Sequence, residues 1–157
     1  MKNLPKLLTS IIGCELVGVA ATPFTLSAIP TWYQYLNKPF FSPPNLVFGP
    51  VWTMLYFLMG VAAYMVWIKD LREKQVKSAL SFFIAQLVLN FFWSILFFGL
   101  HSPILGLIDI LALWTLALIT IIKFYKISKT ASYLLIPYLL WVSFASLLNL
   151  SIVLLNR

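Results

Sequence analysis

Five long apolar stretches alternate with short polar gaps along the chain. A helix rises about 1.5 Å per residue, so crossing a hydrocarbon core of roughly 30 Å takes about 20 residues. Each stretch has that length. They run from Leu7 to Ile29, Leu46 to Ile68, Ala79 to Leu100, Pro103 to Ile122 and Ala131 to Leu155. Every backbone polar group must be paired inside lipid, which makes helix the expected form of each. The predicted fold is therefore all-α, an integral membrane bundle of five transmembrane helices forming one domain over residues 1–157. The first stretch exceeds the roughly 7–15 apolar residues of a signal peptide, so it is expected to be a retained helix.

The gaps differ in character. Lys69 to Lys77 is a charged loop, and His101 with Ser102 makes a very tight turn. Lys123, Lys126 and Lys129 bracket the fourth gap. The first gap, Pro30 to Pro44, is instead aromatic and proline-rich, with Lys38 its one charge. With five spans, Lys2, Lys6, Lys69, Arg72, Lys74, Lys77, Lys123, Lys126 and Lys129 share one side of the membrane. Only Lys38 and Arg157 lie on the other. For a bacterial-type cytoplasmic membrane, the expected location, the positive-inside rule then puts the N-terminus in the cytoplasm and the aromatic loop outside.

Composition agrees. The 157 residues are 62% hydrophobic, 17% aromatic and 10% charged, whereas soluble domains carry about 25% charged residues. The mean hydropathy is +0.96. The net charge of +7 falls in the gaps, where it reads as a topology signal; no basic face or motif predicts a nucleic-acid partner. The single cysteine, Cys14, allows no intrachain disulfide and reads as a small buried apolar residue. No metal is expected, since no cluster of metal ligands occurs.

Polar residues inside lipid are costly and usually face the bundle interior. Gln86, Asn90 and Ser94 are four apart and share one helix face, with Trp93 and Phe97 beside it. They suit either interhelical hydrogen bonding or a polar fixture in a ligand cavity. Glu15 and Asp109 are the only acids within spans, too few for a proton relay, and read as structural acids. Trp32, Trp67 and Trp114 suit an interfacial belt. Trp52 and Trp141 lie deeper, beside Pro50 and Pro137. A proline bends a helix and opens space that a large aromatic can line. These two serve either bundle packing or a cavity for a flat hydrophobic ligand, capped by the aromatic loop. No nucleophile–base set and no phosphate-cradling loop is present.

Several motifs then occur in order. They are Trp32-Tyr33-x-x-Leu36-x-Lys38-Pro39-x-Phe41-x-Pro43-Pro44, Phe48-x-Pro50-x-Trp52 and Tyr56-Phe-Leu-Met-Gly60. Further on come Gln86-Leu-x-Leu-Asn90-x-x-Trp93-Ser94-x-x-Phe97-Phe98, then Asp109, then Pro137-Tyr138-x-x-Trp141-x-x-Phe144-Ala145-x-x-Leu148-Asn149. Together they resemble the TspO/MBR family, the tryptophan-rich sensory proteins related to the peripheral benzodiazepine receptor. The resemblance implies a five-helix bundle, often a homodimer. It implies binding of porphyrins such as protoporphyrin IX and haem, of sterols, and of benzodiazepine- or isoquinoline-type ligands, beneath the first long loop. No cofactor is required; the porphyrin is a ligand. By motif position, Tyr33, Pro43, Phe48, Trp52 and Tyr56 would line one wall and Asn90, Trp93, Trp141, Ala145 and Leu148 the other.

The resemblance leaves three readings. A receptor or sensor would hold the porphyrin by ring stacking, with Asn90 giving a directed hydrogen bond and Lys38 meeting a propionate. An enzyme that degrades protoporphyrin with light and oxygen would use Trp52 and Trp141 as its photochemical pair. A transporter is disfavoured by the absence of internal repeats and of a carboxylate chain. The sequence departs from the family at Phe41, where many members carry Trp. It also lacks the tyrosine of the sterol-recognition pattern between Leu147 and Arg157.

Overall fold

The computed structural model describes residues 2–157, and every apolar stretch in it is helical. Helix α1 is Leu4–Ala28, α2 is Asn45–Trp67, α3 is Lys74–Ser94 and α4 is Pro103–Tyr125. The fifth stretch is split into α5, Lys129–Leu134, and α6, Ile136–Leu155. Five units are long and apolar enough to span a membrane, and no strand occurs among the described residues.

Local chemistry sets the helix ends. Ser102 Oγ accepts from the Leu105 N–H at 3.2 Å and Ser128 Oγ from the Ala131 N–H at 3.3 Å, so α4 and α5 begin on side-chain caps. Pro137 accounts for the break between α5 and α6. It lacks the N–H that would bond to Tyr133, and it disfavours helix at the residue before it. The chain bridges the gap with a tighter bond from the Leu135 N–H to the Ser132 carbonyl at 3.1 Å.

Helix α3 ends in a feature the periodicity does not predict, a widened π-type turn over Ile95–Gly99. The Leu100 N–H closes it on the Ile95 carbonyl at 2.8 Å. His101 follows in left-handed backbone, with φ of 53°, and reverses the chain directly into α4. A side chain rarely adopts that conformation, which marks how tight this turn is.

Inside the spans, hydroxyls are satisfied on their own helices. Thr22 donates to Gly18, Thr53 to Gly49, Ser143 to Leu139 and Ser146 to Val142, at 2.7 to 2.9 Å. Such bonds let polar side chains sit in hydrocarbon without an outside partner.

Around the bundle, α1 packs on α2 and α3, α3 on α4, and α4 on α6. Helix α5 fills the gap between α2 and α4, while α2 and α6 barely meet. At the end away from the aromatic loop the interior is closed by Met59, Ala62, Val66, Val76, Ala79, Phe124 and Ala131, all essentially inaccessible. Toward the loop a second, aromatic cluster forms from Tyr33, Phe97, Phe98, Leu148 and Ile152. Trp114 is half-buried and joins α4 to α6, donating its indole N–H to Ser143 Oγ at 2.8 Å.

The α1–α2 contact depends on one glycine. Ser10 Oγ donates to the Gly60 carbonyl at 2.7 Å, and a Cβ added at Gly60 would lie 2.6 Å from the Ile11 Cα. Backbone cannot yield there as a flexible side chain would. Gly60→Val is therefore expected to destabilise the fold by about 1–3 kcal/mol, read as a lowered thermal unfolding midpoint in detergent. Gly13→Ala, where an added Cβ meets nothing within 4 Å, should leave the midpoint unchanged or slightly raised.

Candidate functional site

A cavity of about 420 Å³ opens between α1, α2, α3 and α6. Each helix gives it one face. From α2 come Phe48, Gly49, Trp52, Thr53 and Tyr56; from α3, Asn90, Trp93, Ser94 and Phe97; from α6, Trp141, Ala145, Leu148, Asn149 and Ile152. Spacings of three and four residues put each set on one side of its helix. Helix α1 adds Glu15, Gly18, Val19, Thr22 and Leu26. Ile110 and Leu113 of α4 also reach the lining.

Nine of the ten residues singled out by motif position line this cavity: Tyr33, Phe48, Trp52, Tyr56, Asn90, Trp93, Trp141, Ala145 and Leu148. Pro43 is not among the lining residues. Trp52 and Trp141 stand on the same cavity from different helices, α2 and α6. The lining also includes Glu15, Gly18, Thr22 and Asn149, which sequence reasoning did not assign to the site. For α1 the signal was present as the face shared by Glu15, Gly18, Thr22 and Leu26.

The deep wall is held by a chain of hydrogen bonds. The Tyr56 hydroxyl donates to Asn90 Oδ1 at 2.5 Å, and Asn90 Nδ2 donates to the Tyr138 hydroxyl at 2.9 Å. The Tyr138 hydroxyl in turn donates to Gln86 Oε1 at 2.8 Å. All four side chains are buried. Trp52 lies against this chain, its ring 5.5 Å from that of Tyr56 and 6.3 Å from that of Tyr138. A second asparagine serves the upper wall: Trp93 Nε1 donates to Asn149 Oδ1 at 3.1 Å, and Asn149 Nδ2 to the Pro103 carbonyl at 2.8 Å. Asn90 thus spends its amide on protein partners and acts first as a brace.

Trp141 behaves differently. Its Nε1 is buried and has no hydrogen-bond partner. The ring is held edge-on by Phe48 at 5.9 Å and tilted on Phe144 at 5.4 Å, so the indole is fixed in place among the lining residues. The other unpaired buried side-chain atom among the described residues, Asp109 Oδ2, belongs to a residue outside the lining.

The aromatic loop covers the end of the cavity. A short 3-10 turn over Tyr33–Tyr35 drives the Tyr33 ring inward against Phe98, 5.5 Å away. Burial pushes the Tyr33 phenol above its ordinary range, with Ser42 opposing, so it is neutral at physiological pH. Trp32 stacks on His101 at 4.7 Å. Asn37 and Asn156 clasp each other: the Asn37 N–H donates to Asn156 Oδ1 at 3.0 Å, and Asn156 Nδ2 donates to the Asn37 carbonyl at 2.9 Å. Lys38 is folded back on this loop, with its ammonium 3.2 Å from the Leu36 carbonyl and 4.7 Å from the centre of the Tyr33 ring. It is not part of the cavity lining.

The brace makes a direct prediction. Asn90→Leu keeps the volume but leaves the buried Tyr56 hydroxyl without an acceptor and the Tyr138 hydroxyl without a donor. A loss of about 1–3 kcal/mol is expected, measured as a lowered midpoint of thermal unfolding in detergent. Ser81→Ala, which removes only an exposed hydroxyl bonded to its own helix, should leave that midpoint in place.

The sequence pattern of the TspO/MBR family matches residues 10–155. The tryptophan-rich protein TspO of Archaeoglobus fulgidus is 49% identical over 155 residues, covering 98% of this chain and 99% of the relative. The tryptophan-rich sensory protein of Cereibacter sphaeroides is 36% identical, over 95% of this chain and 90% of its own. The human translocator protein is 41% identical over 121 residues, 75% of this chain and 70% of its own. With the family pattern matched over nearly the whole chain and five spans in place, the protein is an integral membrane member of the TspO/MBR family.

Proposed function

We propose that the protein is a membrane receptor or sensor that binds flat, hydrophobic aromatic molecules in the cavity beneath the aromatic loop. The ligand classes are porphyrins, such as protoporphyrin IX and haem, and benzodiazepine- or isoquinoline-type compounds. One observation carries the reading: rings from three helices, Phe48, Trp52 and Tyr56, Trp93 and Phe97, and Trp141, line one cavity, and Trp141 also holds a buried N–H without a partner. A buried donor without an acceptor costs free energy, and a ligand carbonyl, carboxylate or ring nitrogen arriving there relieves it.

The other features support the same reading. A volume of about 420 Å³ lies within the usual range for small-molecule pockets. Phe48, Trp52, Trp93 and Trp141 offer ring faces and edges to a flat π-system. Thr22, Leu26, Leu46 and Gly49 line the cavity yet are exposed, so its wall is incomplete between α1 and α2. A macrocycle larger than the enclosed volume extends through that gap.

Trp141→Phe keeps a ring and removes only the donor. It should weaken protoporphyrin IX binding about three- to tenfold, as expected for the loss of one hydrogen bond. Trp141→Ala should weaken it further. Soret-band titration of each variant in nanodiscs measures this without relying on the tryptophan signal. Wild-type affinity in both variants would remove the cavity as the binding site.

A further inference from the structure

We propose that Glu15 makes this cavity selective for ligands carrying a positively charged nitrogen, namely lipophilic aromatic amines in their ammonium form. The inference rests on the cavity being a small-molecule site and concerns which molecules it prefers. Glu15 is the one charged residue in the lining. It is eleven residues from Leu4 and thirteen from Ala28 in α1, so it stands about 16–20 Å from either helix end. A glutamate side chain cannot reach an interface over that distance.

Glu15 has no partner in the protein. Among the described residues it makes no side-chain hydrogen bond, and the only ion pair is Arg72–Asp70, in a polar gap. Thr22, two turns away, spends its hydroxyl on the Gly18 carbonyl. Lys38, the cation of the covering loop, is held on that loop. A carboxylate at this depth without a counter-charge is costly, and such groups mark sites of function.

Ligand charge decides the outcome. A neutral ligand leaves the acid uncompensated, and an anionic one must turn its charge away toward the loop. An ammonium group pairs with Glu15 while its substituents face Trp52, Tyr56 and Trp93, rings whose faces attract cations. The amine headgroup of a phospholipid carries similar chemistry but resides at the membrane surface, so a free amine is the fitting occupant.

The test uses two compounds of one shape, 4-biphenylyltrimethylammonium and 4-tert-butylbiphenyl. Equilibrium dialysis against phosphatidylcholine nanodiscs compares the wild-type protein with Glu15→Gln, and the ratio for each compound cancels its partitioning into lipid. Glu15→Gln should weaken the ammonium compound about tenfold or more and change the neutral one less than about twofold. An equal effect on both, or on neither, overturns the proposal while saturable binding of the neutral compound upholds the cavity as a site. Failure of wild-type protein to bind either compound overturns both readings.

Discussion

Apolar helices in a bilayer gain little by burying apolar faces against one another, because lipid tails are as apolar as leucine. Directed polar contacts and close packing must then set their separation. Here one asparagine does much of that work. Asn90 on α3 holds Tyr56 of α2 by its oxygen and Tyr138 of α6 by its nitrogen, and Tyr138 reaches back to Gln86 on α3. Helices α2 and α6, whose backbones come close at few points, are thereby linked through a third helix. Two phenol rings and an amide are too bulky to let the bundle close. The space kept open is the cavity.

The rest of the site follows from that spacing. Gly60 brings α1 against α2 at the far end. Pro137 breaks the fifth stretch, so that α6 begins on its own course and presents Trp141 to the gap. Asn149 fixes Trp93 on the upper wall. Polar groups are thus paired within the protein almost throughout. Against that background three groups stand without a partner: the buried indole N–H of Trp141, the buried Asp109 Oδ2, and the half-buried carboxylate of Glu15, of which Trp141 and Glu15 belong to the cavity lining.

Much of this was legible in the sequence. The five spans follow from run length alone, and the structure moves their ends by a few residues, most at the two ends of α3, Lys74 and Ser94. The shared face of Gln86, Asn90 and Ser94 is readable from a spacing of four; Gln86 and Asn90 join helices, and Asn90 and Ser94 line the cavity. Pro137 marks the break in the fifth stretch. Glu15 and Asn149 were visible as intramembrane polar residues, but helical spacing alone does not say which neighbour a face will meet. The clasp of Asn37 on Asn156 joins residues more than a hundred positions apart, and no local pattern encodes it. The π-type turn at the end of α3 and the folding-back of Lys38 depend on packing around His101 and Tyr33, which only the assembled bundle supplies.

The central claim is that this braced gap is where a flat aromatic ligand resides. A crystal structure of the protein with a brominated isoquinoline carboxamide, with the bromine placed by its anomalous scattering, tests it most directly. The account predicts a single strong peak in the space bounded by Trp52, Trp93 and Trp141, with a ligand oxygen or nitrogen within hydrogen-bond distance of Trp141 Nε1. A peak confined to the lipid-facing surface of the helices, with that space unfilled, would contradict it.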